Sequence, residues 1–223
     1  MTRSREFQAA GALAAGIVGR GVVHEFANLL TVLNGQRQMQ QLGMSLDTRE
    51  SGIPVVVHEP ADRCQLLVEA FRHFFSDVGV APCARPLTDD LDSLELLLRA
   101  TLRGQTTTVE CDPACAHLTL VGGTAHMVRL ALLLAILSVL EHGRAGDRAP
   151  ERVYLSARSS GMSCEAILAT VTRFRPMPAA DVAFVTARRL WDAATRLIRE
   201  CGGTLLLRED PPGTVVLRLH TPA

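Results

Sequence analysis

No proline interrupts the chain before Pro54, and from Phe7 to Leu42 the apolar residues recur at helical spacing. That stretch predicts one long helix. Glycines 11, 16, 19, 21 and 35 lie within it, and each weakens it by roughly 1 kcal/mol relative to alanine. Such a helix holds only against tertiary partners. Residues 43–58 carry Gly, Pro, Asp and Ser and read as a connection. From Pro60 to Val78 a second amphipathic stretch follows, with Leu66, Leu67, Ala70, Phe71, Phe74 and Phe75 forming the expected apolar stripe. Together the two predict a helical hairpin.

Beyond residue 78 the pattern changes. Gly79, Pro82 and Pro86 mark a linker over 79–90. Then helical and alternating segments succeed each other: helix over Leu91–Leu102, strands over Thr106–Cys111 and Leu118–Val121, and a strongly apolar helix over Thr124–Glu141. Strands over Val153–Ala157 and Ala166–Thr172 come next, followed by a helix over Val182–Glu200 that ends at Gly202-Gly203. The close is a hairpin of Thr204–Arg208 and Thr214–His220 over Asp210-Pro211-Pro212-Gly213. The order predicts an α+β protein: a helical hairpin over residues 1–80, then an α/β domain over 87–223 with helices packed on one face of a mixed sheet.

Composition excludes several functions. Lysine is absent, which rules out a Walker A loop, a Schiff base and a lysine general base. The formal net charge is +0 and aromatic residues make up 4%, so neither a basic footprint nor stacking platforms point to nucleic acid. Of the six cysteines only Cys111 and Cys115 are close, and no second pair stands at zinc spacing. They read as reduced and structural, which suits a cytoplasmic protein. Residues 9–18 carry two glycines and run into an arginine, a poor signal peptide, and the apolar run Leu130–Leu140 is too short to span a bilayer. A protein without a membrane partner is expected.

The chemistry concentrates in His24-Glu25-Phe26-Ala27-Asn28-Leu29-Leu30. At about 100° per residue, Val22, Phe26, Leu29 and Leu33 cluster within roughly 60° of arc, with Val23 and Leu30 at one side, and form the predicted buried stripe. His24 falls on the opposite side, where Arg20, Ala27, Asn28, Thr31 and Gly35 also lie. Leu13 and Ile17 share that side too, so the early helix must bury a different face. A neutral imidazole can attack phosphorus. Glu25 is placed to take the other ring N–H and hold its tautomer. Asn28, one turn on, could support docking or hold a water for hydrolysis of an acyl phosphate. Arg20 suits an acidic partner pocket, and Ala27 and Thr31 leave room for close approach. The alternative for the whole run is a solvated surface histidine. His73, between phenylalanines, reads as core edge, and Arg188-Arg189 as a solvated helix face.

Gly16–Gly35 resembles the phosphoacceptor helix of bacterial histidine kinases, where a histidine followed by an acid and then Asn-Leu-Leu-Thr is common. Phe71-Arg72-His73-Phe74-Phe75 looks like the end of the return helix of that dimerisation hairpin. Leu87–Leu102 resembles the opening of the ATP-binding domain, Gly122-Gly123-Thr124 the lead-in to its asparagine-bearing helix, and Val182–His220 its last helix and closing hairpin. The departures cluster at the nucleotide. Leu133 and Leu137 stand where magnesium-binding asparagine is expected, and leucine cannot coordinate a hard cation. Arg173 and Arg175 stand at the adenine aspartate and glycine, and Asp181-Val182-Ala183-Phe184 replaces the glycine-rich turn.

This combination resembles the histidine phosphotransferases built on a degenerate histidine-kinase scaffold. The resemblance implies a dimeric four-helix bundle made of two hairpins, and a C-terminal α/β sandwich like a degenerate kinase ATPase domain. It implies phosphoryl relay through His24 between receiver aspartates of response regulators, with a hybrid histidine kinase as a further partner. No ATP, cofactor or metal of its own is implied, because the receiver brings the magnesium. Three rivals stand beside it: a non-catalytic regulator that binds a kinase or receiver, a receiver phosphatase using Glu25 and Asn28, and a working kinase with unusual nucleotide contacts.

Overall fold

A computed structural model of the chain describes residues 2–41, 58–75, 85–102, 108–111, 119–120, 125–145, 152–160, 163–170, 185–208 and 214–220. Five helices stand among them: α1 (Thr2–Gln41), α2 (His58–Phe75), α3 (Leu87–Thr101), α4 (Ala125–Ala145) and α5 (Val185–Glu200). The strands are β1 (Arg85–Pro86), β2 (Thr108–Cys111), β3 (Thr119–Leu120), β4 (Arg152–Ser160), β5 (Ser163–Thr170), β6 (Thr204–Arg208) and β7 (Thr214–His220). The positions aligned with the adenine loop, Arg173 and Arg175, lie outside the described residues, as do Gly122-Gly123-Thr124 and Asp181–Phe184.

β2, β4, β5, β7 and β6 form a five-stranded sheet in that order. β2 runs parallel to β4, from Thr108 opposite Arg152 to Cys111 opposite Leu155. A parallel neighbour requires a long crossover, and α4 lies in it. The remaining pairs are antiparallel, with Val153 opposite Thr170 and Ser160 opposite Ser163 across β4 and β5, and β7 seated between β5 and β6. The sheet is therefore mixed. The segment expected as linker contains β1, which pairs antiparallel with β3, Arg85 opposite Leu120. A two-residue bridge leaves almost no periodic signal in a sequence.

α4 is apolar on every side, and each residue from Leu130 to Leu140 is buried. A helix with no polar face belongs in a core. Its Ala125–His142 window is long and apolar enough to cross a membrane, yet 83% of that window is buried inside the fold. α5 buries Ala187, Leu190, Ala193, Ala194, Leu197 and Ile198, and packs on α4 and β6. Ser138 anchors the pair by donating its hydroxyl to the Ala187 carbonyl at 2.7 Å. α5 ends in a Schellman turn. Gly203 N–H reaches the Ile198 carbonyl at 2.9 Å, Gly202 N–H reaches the Arg199 carbonyl at 3.0 Å, and Gly202 adopts φ +75°, a conformation that favours glycine.

α1 and α2 pack together as a hairpin-like pair, and both also pack on α3. The early part of α1 turns Ala10, Ala14, Ile17 and Val18 inward and meets α4 and α5. This different face accommodates Ile17. Phe7 stacks edge-on against His126 at the start of α4, their centroids 4.9 Å apart. One hydrophobic cluster runs from Ala10 through Leu67, Phe74, Leu97 and Leu133 to Ile198. Each fully buried leucine in it contributes roughly 1.5–3 kcal/mol relative to exposure.

Candidate functional site

Two devices fix α1 on its neighbours around position 24, and a third joins those neighbours to one another. The first is Gly21. A Cβ added there would stand 2.6 Å from the Ala100 carbonyl oxygen and 2.7 Å from the Thr101 Cα. Only glycine lets α1 approach the end of α3 so closely. The second is Glu25, which is 3% exposed and whose Oε1 lies 3.1 Å from the Arg63 guanidinium of α2. The third lies at the far end of α2. His73 Nε2 sits 2.7 Å from Asp90 Oδ1 at the start of α3, and Arg129 Nε of α4 sits 2.7 Å from the same oxygen as an ion pair outside hydrogen-bond alignment. Asp90 is buried, and its Oδ2 has no partner. His73, expected at the core edge, thus meets Asp90, the residue through which three helices are joined.

His24 is exposed. Of its expected surroundings, Arg20, Ala27 and Thr31 are exposed and Asn28 is half-buried. Arg20 donates its Nε–H to the Gly16 carbonyl at 3.3 Å, and the Thr31 hydroxyl donates to the Ala27 carbonyl at 2.8 Å. Both groups therefore lie along their own helix. Glu25 departs from the expected surface cluster, since its carboxylate faces α2 and meets Arg63.

The buried column of α1 is Val18, Val22, Glu25 and Leu29, with Phe26 and Leu33 half-buried beside it. It is rotated by roughly 40° from the predicted stripe. Val23 and Leu30, placed beside that stripe, are 68% and 55% exposed instead. The cause is the seat of α2 and α3: contact at Gly21 and the ion pair at Glu25 draw the polar side of the stripe inward. His24 then stands about 130° from the centre of the buried column. On α2, Leu67, Ala70 and Phe74 are buried, whereas Leu66 is 54% exposed rather than part of the stripe.

Arg63 is the residue that sequence reading passed over. A signal existed. Counting back one turn from Leu67 puts Arg63 at the outer end of the column 63, 67, 70 and 74, facing the column that holds Glu25. Leu133 and Leu137 are fully buried in α4, where their side chains fill the core. Among the described residues no group of three or more His, Cys, Asp or Glu stands close enough to hold a metal ion.

No protein-family model matches the chain, and no curated protein does. Solved structures similar to it include the ATP-binding domain of PrrB from Mycobacterium tuberculosis, at 27% identity and TM-score 0.46, over 63% of this chain and 98% of that one. A histidine kinase from Burkholderia phymatum is similar over 96% of this chain and 98% of its own, at 14% identity and TM-score 0.47. A bacterial phosphotransferase is similar over 92% and 94%, at 11% identity and TM-score 0.45. At TM-scores this low the likeness carries no weight for function, which rests on the side chains.

Proposed function

We propose that the chain is a homodimeric histidine phosphotransferase that relays phosphoryl groups between receiver aspartates of response regulators through His24, without binding ATP. The observation that carries this reading is an exposed imidazole on a helix fixed to its neighbours at Gly21 and Glu25, surrounded by the small or polar residues Arg20, Ala27, Asn28 and Thr31. A partner can approach such a ring closely, and the helix that carries it is held in place.

In this reading the unprotonated ring nitrogen of His24 supplies an electron pair to phosphorus. A nitrogen–phosphorus bond forms as the acyl-phosphate oxygen–phosphorus bond breaks, and the receiver carboxylate leaves. Glu25 holds the helix beneath the ring through Arg63, Asn28 supports docking, and Arg20 favours the acidic receiver pocket. Positioning by the docked receiver supplies most of the rate, because phosphoryl transfer depends chiefly on alignment and charge stabilisation. The receiver carries the magnesium, and the chain holds no cofactor of its own. Residues 1–80 provide dimerisation and the phosphoacceptor, with two hairpins forming a four-helix bundle. Residues 87–223 are a kinase-like α/β sandwich whose nucleotide site is lost. Burial of Leu133 and Leu137 supports that loss, since leucine offers a cation no oxygen. A hybrid histidine kinase feeding the relay, a cytoplasmic location, and no nucleic-acid or membrane partner complete the proposal.

The test is transfer. Receiver domains charged from acetyl phosphate are mixed with the wild-type chain and with His24→Ala. Label passes to the wild type as acid-labile phosphohistidine and not to the variant. A wild type that never takes label from any of a panel of receivers, or a variant that takes it equally, removes the reading.

A further inference from the structure

α1 is seated twice, and the two seats differ. Its later part packs on α2 and α3 through Val22, Glu25 and Leu29, with Gly21 against the backbone of α3. Its early part covers α4 and α5 instead, and does so with little. Among the described residues before Gly16 only Ala10 and Ala14 are buried, while Phe7 and Leu13 are half-buried. Short side chains bury little apolar area and hold a helix weakly. Between the seats stand Gly16 and Gly19, on either side of the buried Ile17 and Val18. An added Cβ at either glycine would meet nothing within 4 Å, so no close approach requires glycine there, in contrast to Gly21. Their remaining effect is on the backbone, which they make locally weaker as a helix.

Under the early seat lies His126. It is half-buried at the start of α4 and meets the Phe7 ring edge-on, with 4.9 Å between centroids. One turn on, a Cβ at Gly11 would stand 3.9 Å from Leu130 Cδ2, so α1 follows α4 over this stretch. We propose that residues 5–15 of α1 form a latch on α4, closed by Phe7 on His126 and hinged at Gly16 and Gly19, and that acid opens it. Burial, and then the charge of Arg129, hold the His126 ring below its ordinary pKa of 6.5. Arg129 in turn meets Asp90 of α3, which also meets His73 of α2. On α1 the charged neighbours of Phe7 are Arg5, exposed, and Glu6, half-buried. The inward residues of α5 are Ala187, Leu190, Ala193, Ala194, Leu197 and Ile198, none of them charged. Opening the latch returns the ring to water, where it binds a proton at its ordinary affinity. Protons therefore favour the open form. The closed form loses stability as pH falls from 6.5 toward the lower value of the closed ring, and is unaffected by this group above that window.

The experiment is amide hydrogen exchange of the full chain from pH 8 to pH 5, corrected for the intrinsic pH dependence of exchange. Protection over residues 5–15 is level above pH 6.5 and falls below it, by up to about tenfold for each pH unit crossed before the closed ring itself titrates. Protection over residues 22–29 holds. His126→Phe keeps a ring against Phe7 and removes the pH dependence. Phe7→Ala lowers protection over 5–15 at every pH, and the His126 ring, followed by its NMR chemical shift, then titrates closer to 6.5. Gly16→Ala combined with Gly19→Ala stiffens the hinge and raises protection over 5–15. The proposal is overturned if residues 5–15 stay protected down to pH 5, if they and residues 22–29 lose protection together, or if His126→Phe retains the pH dependence.

Discussion

A glutamate inside an apolar column is a conflict at the scale of one residue, and Arg63 resolves it. Hydrophobic periodicity sorts α1 into faces correctly to within one residue position, but it cannot tell that a carboxylate will be turned inward, because the decision belongs to a side chain on another helix. Gly21 is similar. In the sequence it is one weak helix position among five, yet here it admits the end of α3. Gly21→Ala is expected to lower stability by about 1–3 kcal/mol through overpacking against backbone that cannot step aside, whereas Gly16→Ala, which meets nothing within 4 Å, gains through helix propensity. Urea denaturation of the two variants checks the contrast. His126 supplies a pH dependence. Burial, then the neighbouring Arg129, lower its pKa from the ordinary 6.5. Below that pH the unfolded chain binds the proton more readily, so stability is lost as pH falls through 6.5 toward the lower folded value and is unaffected by this group above it. Melting curves from pH 8 to pH 5 should fall more steeply for the wild type than for His126→Phe, which keeps the stacking on Phe7 and has no proton to bind.

Elements were the most legible level. The long α1, the amphipathic α2 and α5, the apolar α4 and the closing β6–β7 hairpin all carry strong local periodicity or turn signals, so each appears where its residues suggest. β3 lies within the strand expected over Leu118–Val121, but β1 did not appear in the pattern, because a two-residue bridge depends on what the rest of the fold brings alongside. The joint among α2, α3 and α4 was also illegible. His73, Asp90 and Arg129 are far apart in sequence and meet only because three helix ends converge. Asp90→Ala leaves the Arg129 guanidinium, which is 11% exposed, without its anion. Loss of one partner from a buried charged cluster costs about 3–5 kcal/mol, to be measured by urea denaturation. Loosening this joint also separates the hairpin from the α/β part, so faster amide exchange in α2 and at the start of α3 is the expected companion of the lower stability.

At the scale of the molecule the hairpin is thin, and both its helices show large apolar side chains to solvent: Val23, Leu30 and Val32 on α1, Leu66 and Val68 on α2. Val23 and Leu30 share one side of α1, and in the proposed bundle the second copy covers it. Leu30→Glu combined with Leu66→Glu should convert a dimer to a monomer in light scattering, with little change in helix content, because neither side chain belongs to the core of a single chain. A wild type that is monomeric at tens of micromolar would count against the bundle. The continuity of the core from Ala10 to Ile198 further ties the presentation of His24 to the α/β part. Damage far from the ring, at Asp90 for example, should therefore slow transfer as well as lower stability.

Local rules were enough to establish the order of helices and strands, an apolar helix for the core, and a histidine on the solvent side of a long helix. Those properties follow from periodicity and side-chain chemistry, which act over a few residues. Tertiary structure decided how far α1 is rotated, which carboxylate is buried, and which arginine pairs with it. Each depends on groups that only meet when helices close on one another, where sterics at a glycine and the cost of an unpaired charge outweigh the hydrophobic pattern of any single helix.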